Sequence, residues 1–153
     1  MADPLSITAS VIGITTAALF SLRKLRDFIG KIKDAPPVIA AIKADLDNID
    51  AVMTSLQKTL EDPNGIHDEL KPLLQDLRIQ RAVETCGKTC SKFEATLTHW
   101  MRHSTEEKVH WWDRVRAGYF GDAKIRAFTS EFGTCKATIS LALGAATLYV
   151  LRR

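Results

Sequence analysis

The fold of this chain is decided by residues 39–60, which read IAAIKADLDNIDAVMTSLQKTL. Apolar side chains recur there at alternating steps of three and four, the repeat of a helix face packed against a core. The acidic residues between them mostly fall on the opposite face. We therefore expect a long amphipathic helix and a helical core around it. The repeat consists of Ile39, Ile42, Leu46, Ile49, Met53, Leu56 and Leu60.

Prolines and glycines divide the rest of the chain into further helical segments, and strand signals are almost absent. A length of 153 residues suits one domain, residues 1–153, with a single core. The predicted fold is all-α: an up-down bundle of four long helices plus one short connecting helix. The expected helices cover about residues 4–33, 37–60, 68–102, 104–116 (the short one) and 122 to the C-terminus.

The first helix begins with an uncharged segment, residues 5–22, which is followed at once by a basic collar. Eighteen helical residues reach about 27 Å, close to the ~30 Å hydrocarbon core of a bilayer. Serines and threonines dilute the segment, so burial in a bundle and insertion into a membrane both remain open. The candidate insertion residues are Leu5, Ile7, Val11, Ile12, Ile14, Leu19, Phe20 and Leu22. The collar residues, expected to contact lipid headgroups, are Arg23, Lys24, Arg26, Lys31 and Lys33.

Small residues recur every four positions in the same segment, at Ala9, Gly13, Ala17 and Ser21. This spacing allows two helices to approach closely. The stripe therefore predicts a helix–helix contact, either inside the bundle or between copies of the chain in a membrane.

The net charge is +3, but the charges are unevenly distributed along the chain: both ends are basic and the middle is acidic. The bases flank apolar segments instead of aromatic stacking residues, so we expect anionic lipid and not nucleic acid as the partner. Ordinary solvated helix faces are the alternative. A secretory signal is not expected, since the residues before Leu5 include Asp3 and no base. Three cysteines, an odd number, fit a reducing compartment and a cytoplasmic resting location.

Two motifs imitate chemical sites. Residues 82–89 end in Gly-Lys-Thr like a phosphate-binding loop, but they lack the first glycine and read as mid-helix. Cys86, Cys90, His99 and His103 imitate a zinc pattern, yet on a continuous helix Cys90 and His99 lie roughly 13 Å apart along the axis. Nor do any residues group as nucleophile, base and orienting partner. We therefore predict no catalytic residues, no cofactor, no metal and no enzymatic activity.

Four stretches carry a resemblance to a known family. They are MADPLSITASVIG at residues 1–13, Glu-Thr-Cys at 84–86, Trp-Trp-Asp at 111–113 and CKATISLAL at 135–143. Together they resemble the fungal HeLo-like N-terminal domain of NACHT/STAND-type, NLR-like proteins, within the wider HeLo cell-death group. The resemblance implies a helical bundle whose N-terminal hydrophobic helix, here residues 5–22, is the toxic element.

The resemblance implies a role in programmed cell death, heterokaryon incompatibility and fungal innate immunity. We expect the chain to oligomerise on activation, together with an NLR-like receptor in cis or in trans, and to move from the cytoplasm to the plasma membrane. The first helix would then insert into anionic lipid. A non-lytic adaptor or oligomerisation domain is the alternative. The chain is expected to be either an isolated effector domain or a fragment of a longer receptor.

Overall fold

The computed structural model describes residues 4–32, 37–61, 77–102 and 119–151. Within these ranges the chain forms four helices and no strand. The predicted all-α fold is confirmed at this level. The short helix predicted over residues 104–116 lies outside the described residues. The helices are α1 (Pro4–Gly30), α2 (Pro37–Glu61), α3 (Leu77–Arg102) and α4 (Tyr119–Leu151).

Helix α2 forms where the apolar repeat predicts it and begins at Pro37. Proline suits the first position of a helix because the amide hydrogen it lacks would have no partner inside the helix. The predicted core residues from Ile39 to Leu56 are all buried. The side chain of Leu60 lies outside the described residues.

Helix α1 ends earlier than the expected boundary at Lys33. Its last helical residue is Gly30, after which the Lys31 amide donates to the carbonyls of Asp27 and Phe28, both at 3.2 Å. The Ile32 amide then donates to the Ile29 carbonyl at 3.0 Å. These bonds satisfy carbonyls that the end of a helix leaves without partners.

Helix α3 is continuous from Leu77 to Arg102, and it includes the polar residues Gln80 and Arg81 between the apolar residues Ile79 and Val83. Buried Ile79 supplies a core position four residues before Val83. The repeat is therefore unbroken in the structure. The expected first turns of this helix, residues 68–76, lie outside the described residues.

Helix α4 begins at Tyr119 and not at Asp122, the cap expected from the sequence. The prediction relied on Gly118 and Gly121 to stop the helix. An interior glycine costs only about 1 kcal/mol relative to alanine, which tertiary packing readily offsets. Gly121 is accordingly helical in the structure.

The helices form a bundle in which α1 packs on α2 and α3, and α4 packs on α3 and to a smaller extent on α2. Side-chain bonds join Thr16 to Gln57 and Arg23 to Asp50, so α1 and α2 run antiparallel. The contacts Ser21–Ser91 and Lys24–Glu94 show that α1 and α3 run parallel.

The ring stack of Phe93 on Phe128 and the hydrogen bond from Thr89 to Glu131 show that α3 and α4 are antiparallel. Consecutive helices therefore alternate in direction. One core cluster, with contributions from all four helices, lies between them. Within the described residues α2 and α3 are not an extensively packed pair, and α1 and α4 each pack on both of them.

Candidate functional site

Helix α1 presents one face to the core and the other to solvent. Three of the predicted insertion residues, Val11, Leu19 and Leu22, are buried, whereas Ile12 and Ile14 are half-buried. Phe20 is 71% exposed. The side chains of Leu5 and Ile7 lie outside the described residues. The predicted insertion set is thus divided between the two faces of the helix.

The outer face of α1 carries no charge between residues 9 and 20. Its exposed residues are Ala9, Ser10, Gly13, Thr16, Ala17 and Phe20. A Cβ atom added at Gly13 would meet no other atom within 4 Å, so the resting bundle gives no steric reason for a glycine there. Glycine inside a helix costs about 0.5–1 kcal/mol relative to alanine.

The predicted small-residue stripe is only partly a contact between helices in this state. Ser21 accepts a 3.1 Å hydrogen bond from Ser91 of α3. The other three members, Ala9, Gly13 and Ala17, are exposed along a groove of about 670 Å³ between α1 and α3.

The close approach of α1 and α3 is made instead by Ala18 and Gly87. A Cβ atom on Gly87 would lie 3.0 Å from the Ala18 Cα atom, which is too close for an undisturbed helix crossing. Gly87 belongs to the Gly-Lys-Thr sequence that imitates a phosphate-binding loop. Its position in the middle of α3 agrees with the mid-helix interpretation, and helix packing explains the glycine.

Two arginines of the basic collar converge on one carboxylate of α2. Arg23 donates from Nε to Asp50 Oδ2 at 2.9 Å and from Nη2 to Asp50 Oδ1 at 3.1 Å. Arg26 donates from Nη1 to Asp50 Oδ2 at 2.7 Å. The hydroxyl of Thr54 donates to Asp50 Oδ1 at 3.0 Å and accepts from Arg23 Nη2 at 3.1 Å. We call these four residues the Asp50 clasp.

The clasp favours the ionised form of Asp50. Hydrogen bonds donated by Arg23 are the main reason that the pKa of Asp50 lies below its usual value, and they outweigh the opposing effect of burial. The Thr54 hydroxyl and the charges of Arg23 and Arg26 lower the pKa further. Asp50 therefore stays ionised to a lower pH than an aspartate without these partners.

The remaining ion-pair contacts of the collar with other helices are longer. Lys24 Nζ lies 3.9 Å from Glu94 Oε2 of α3, and Arg26 Nε lies 3.8 Å from Asp47 Oδ1. Lys31 is exposed, and Lys33 lies outside the described residues. Three of the five predicted headgroup residues thus lie against carboxylates in the closed bundle, and their contact with lipid stays a prediction.

One polar atom in the α1 core face has no partner. Thr15 is fully buried, and its Oγ1 atom makes no hydrogen bond among the described residues. A buried hydroxyl without a partner costs about 1–3 kcal/mol. The packing of α1 therefore includes an unfavourable buried hydroxyl that the sequence pattern did not reveal.

The cysteines belong to the core between α3 and α4. Cys86, Cys90 and Cys135 are all buried free thiols. A hydrogen bond with Cys86 and then burial raise the pKa of the Cys90 thiol above its usual range, and burial raises the pKa of Cys135 to about 11. These shifts make the two thiols poor nucleophiles near neutral pH.

In the part of the chain that the structure describes, the cysteines and the histidine of the zinc-like motif do not come together. His99 lies on the exposed surface of α3, away from the buried cysteines. The described residues contain no group of three His, Cys, Asp or Glu side chains that could hold a metal ion. His103 lies outside them.

None of the described helices combines the length and the apolar character needed to span a membrane.

Nearly the whole chain falls within a known family of sequences. The profile described as "Pigment biosynthesis cluster protein PigL N-terminal" matches residues 2–152. The chain belongs to the PigL_N family. No curated protein and no solved structure matches it significantly. The description of PigL_N does not mention HeLo-like domains, so the resemblance to that group stays a prediction.

Sequence reasoning missed the carboxylates that hold the collar. A signal was present, because Arg23 and Arg26 are three residues apart, as are Asp47 and Asp50 on the next predicted helix. Residues three apart share a helix face, and two antiparallel helices bring such pairs together in reverse order. The unpartnered Thr15 hydroxyl had no comparable signal.

Proposed function

We propose that this PigL_N domain is a non-enzymatic, membrane-targeting effector of cell death. At rest it is a closed cytoplasmic bundle. After oligomerisation, driven by an NLR-like receptor in cis or in trans, α1 leaves the bundle and inserts into anionic lipid of the plasma membrane. The observation that carries the proposal is the division of α1: one uncharged segment has a buried apolar face and an uncharged outer face that includes Phe20.

The energetics of α1 support two locations for the helix. Each buried aliphatic side chain, such as Val11 or Leu22, contributes about 1.5–3 kcal/mol whether it is removed from water by the core or by lipid. A modest bias can therefore move the helix between the two. Anionic lipid supplies such a bias, worth about 1 kcal/mol for each basic side chain near the membrane surface.

The resemblance to HeLo-like domains supports the same proposal, since residues 5–22 take the place of the toxic N-terminal helix of that group. The proposed architecture is that of the predicted bundle, with four long helices and a short connecting helix over residues 104–116. The helix–helix stripe of Ala9, Gly13 and Ala17 is exposed and would join copies of the chain after α1 has moved.

A matched pair of variants tests insertion without disturbing the closed bundle. Ala17→Glu places a carboxylate on the outer face of α1, whereas Ala44→Glu makes the same change on the exposed face of α2. A charge near the centre of an inserted helix costs about 2.5–3.5 kcal/mol. We expect Ala17→Glu to abolish leakage of anionic liposomes by the chain fused to an inducible dimerisation domain, and Ala44→Glu to leave it unchanged.

The comparison is valid only for variants with the helical circular dichroism spectrum and melting temperature of the wild-type chain. Equal leakage by the two variants would show that α1 does not insert. Absence of leakage by the dimerised wild-type chain would rule out the effector proposal.

The second candidate is a non-lytic adaptor or oligomerisation domain. The observation that favours it is the pairing of Arg23, Arg26 and Lys24 with carboxylates of the same chain, which stabilises the closed bundle. The description of PigL_N as an N-terminal domain is in keeping with a module that precedes another. An adaptor would oligomerise or bind its receptor in the dimerisation experiment while liposomes stay intact.

A further inference from the structure

The Asp50 clasp places two guanidinium groups on one oxyanion. Arg23 binds the carboxylate with two nitrogens and Arg26 with a third, at distances from 2.7 to 3.1 Å. Charge-assisted bonds of this length and a forked arginine geometry are also the means by which proteins bind phosphate. Without an anion between them, the two arginines would repel each other.

The clasp lies at the edge of the bundle, where a ligand can reach it. The Asp50 side chain is 13% exposed, whereas those of Arg23 and Arg26 are 45% and 27% exposed. Both arginines belong to α1, and the carboxylate belongs to α2. Any anion that replaces Asp50 therefore removes a bond between the two helices.

We infer that Arg23 and Arg26 form a binding site for the phosphate of an anionic lipid headgroup, and that Asp50 occupies this site in the closed bundle as an internal competitor. The membrane part of this inference rests on the proposed function. A headgroup phosphate and the Asp50 carboxylate cannot bind the two arginines at the same time. Lipid binding therefore shifts the equilibrium toward the released state of α1, in which the arginines no longer contact Asp50.

The other ion pairs of the bundle differ from the clasp in ways that provide controls. Lys136 Nζ lies 3.0 Å from Asp45 Oδ1 and joins α4 to α2, so neither partner of this ion pair belongs to α1. Asp45→Asn thus removes one negative charge from the same helix and leaves the clasp intact. Its effect on vesicle binding measures the general change in net charge.

The experiment compares Asp50→Asn with Asp45→Asn in the full chain. Binding is measured by co-sedimentation with phosphatidylcholine vesicles, with and without phosphatidic acid. We expect Asp50→Asn to bind the acidic vesicles about thirtyfold more tightly than wild type, the value for two freed basic side chains near an anionic surface. Asp45→Asn should lie much closer to wild type, and vesicles of phosphatidylcholine alone should show no gain for either variant.

A variant without the two arginines identifies the site. Adding Arg23→Gln and Arg26→Gln to Asp50→Asn should remove the gain, since these are the side chains that Asp50 frees. Equal binding by Asp50→Asn and Asp45→Asn, or a gain that persists without the two arginines, would overturn the inference.

Two further measurements keep the test decisive. If Asp50→Asn loses its helical spectrum, Thr54→Val is used instead, because it removes only the hydroxyl that bonds Asp50 and Arg23; a smaller gain in the same direction is expected, and no gain contradicts the inference. Inorganic phosphate at matched ionic strength should compete with the vesicles. Binding of inorganic phosphate to Asp50→Asn without any binding to acidic vesicles would assign the site to a soluble anion and contradict the lipid part.

Leakage separates this inference from the proposed function. If Asp50→Asn fused to the inducible dimerisation domain binds acidic vesicles through Arg23 and Arg26, but neither it nor wild type releases their contents after dimerisation, the phosphate site is supported and the lytic effector is rejected. Leakage by wild type that is unaffected by Asp50→Asn, with unchanged binding, supports the effector and rejects the site.

Discussion

The α3/α4 interface contains stacked aromatic rings, whereas the α1/α2 interface is closed along its edge by several charged side chains. Phe93 stacks on Phe128 with ring centroids 4.3 Å apart, and Phe128 lies 5.4 Å from Phe132. Between α1 and α2 the Asp50 clasp and a 2.7 Å bond from Gln57 to Thr16 accompany the buried leucines.

This difference concerns the edge of the α1/α2 interface, because α1 itself also packs on α2 and α3 through buried leucines. Water or a headgroup can replace the partners of Arg23 and Thr16, because those contacts are polar and near the surface. Neither can replace the contacts of a stacked ring in the core, which are lost outright when the helices separate. In the proposed mechanism α3 and α4 are therefore the scaffold and α1 is the mobile element.

The largest expected effect tests the aromatic interface between α3 and α4. Phe128→Ala should lower the free energy of unfolding by about 3–5 kcal/mol, because it removes a buried ring and leaves a cavity between α3 and α4. Phe20→Ala makes the same change on the exposed face of α1 and should alter stability by less than about 0.5 kcal/mol. Urea denaturation measures both, and similar losses would mean that the two faces do not differ as described.

A pair of glycines tests the contrast between the inner and outer faces of α1. Gly87→Ala should destabilise the fold by about 1–3 kcal/mol, because the new methyl group would press on the Ala18 backbone. Gly13→Ala should stabilise it by about 0.5–1 kcal/mol, since the site is open and alanine favours the helix. Thermal unfolding of both variants checks the signs, and a destabilising Gly13→Ala would reveal a contact at this face in the resting state.

The unpartnered hydroxyl of Thr15 predicts a stabilising substitution. Thr15→Val keeps the shape of the side chain and removes the buried polar atom, so we expect the free energy of unfolding to rise by about 1 kcal/mol. If α1 is the mobile element, the same variant should also slow liposome leakage. Greater stability without slower leakage would separate the fold of α1 from its release.

The helical core was predictable because its residues repeat at helical spacing. Each described core position assigned from the repeat on α2 is buried. The boundaries were less predictable, since the ends of α1 and α4 depend on local bonds and on packing that can override a glycine.

The candidate site was predictable as a pattern and not as a geometry. The sequence shows that residues 5–22 are uncharged and that Arg23 and Arg26 follow them. Which carboxylate meets the arginines depends on the register between helices. The register also decides that Ala18, and not the regular stripe through Ala17, makes the close crossing with Gly87.

The smallest expected effect concerns the pH dependence of the Asp50 clasp. The ordinary pKa of an aspartate in an unfolded chain is about 3.9, and the pKa of Asp50 in the bundle lies below its usual value. A lowered pKa means that the folded state favours the ionised carboxylate. Its contribution is therefore fully present above the unfolded pKa and is lost as the pH falls through the folded value.

Asp50→Asn should lower the free energy of unfolding by about 1 kcal/mol at pH 7, a modest amount because Arg23 is half-exposed and water screens its charge. The difference from wild type should stay constant between about pH 5 and pH 8 and shrink below about pH 4, where protonated aspartic acid comes to resemble asparagine. Arg23 and Arg26 face the carboxylate from α1, and Thr54 faces it from α2. Urea denaturation of the two proteins across this range measures the difference, which would persist undiminished at pH 3 if the variant acted through packing and not through the charge that holds α1 to α2.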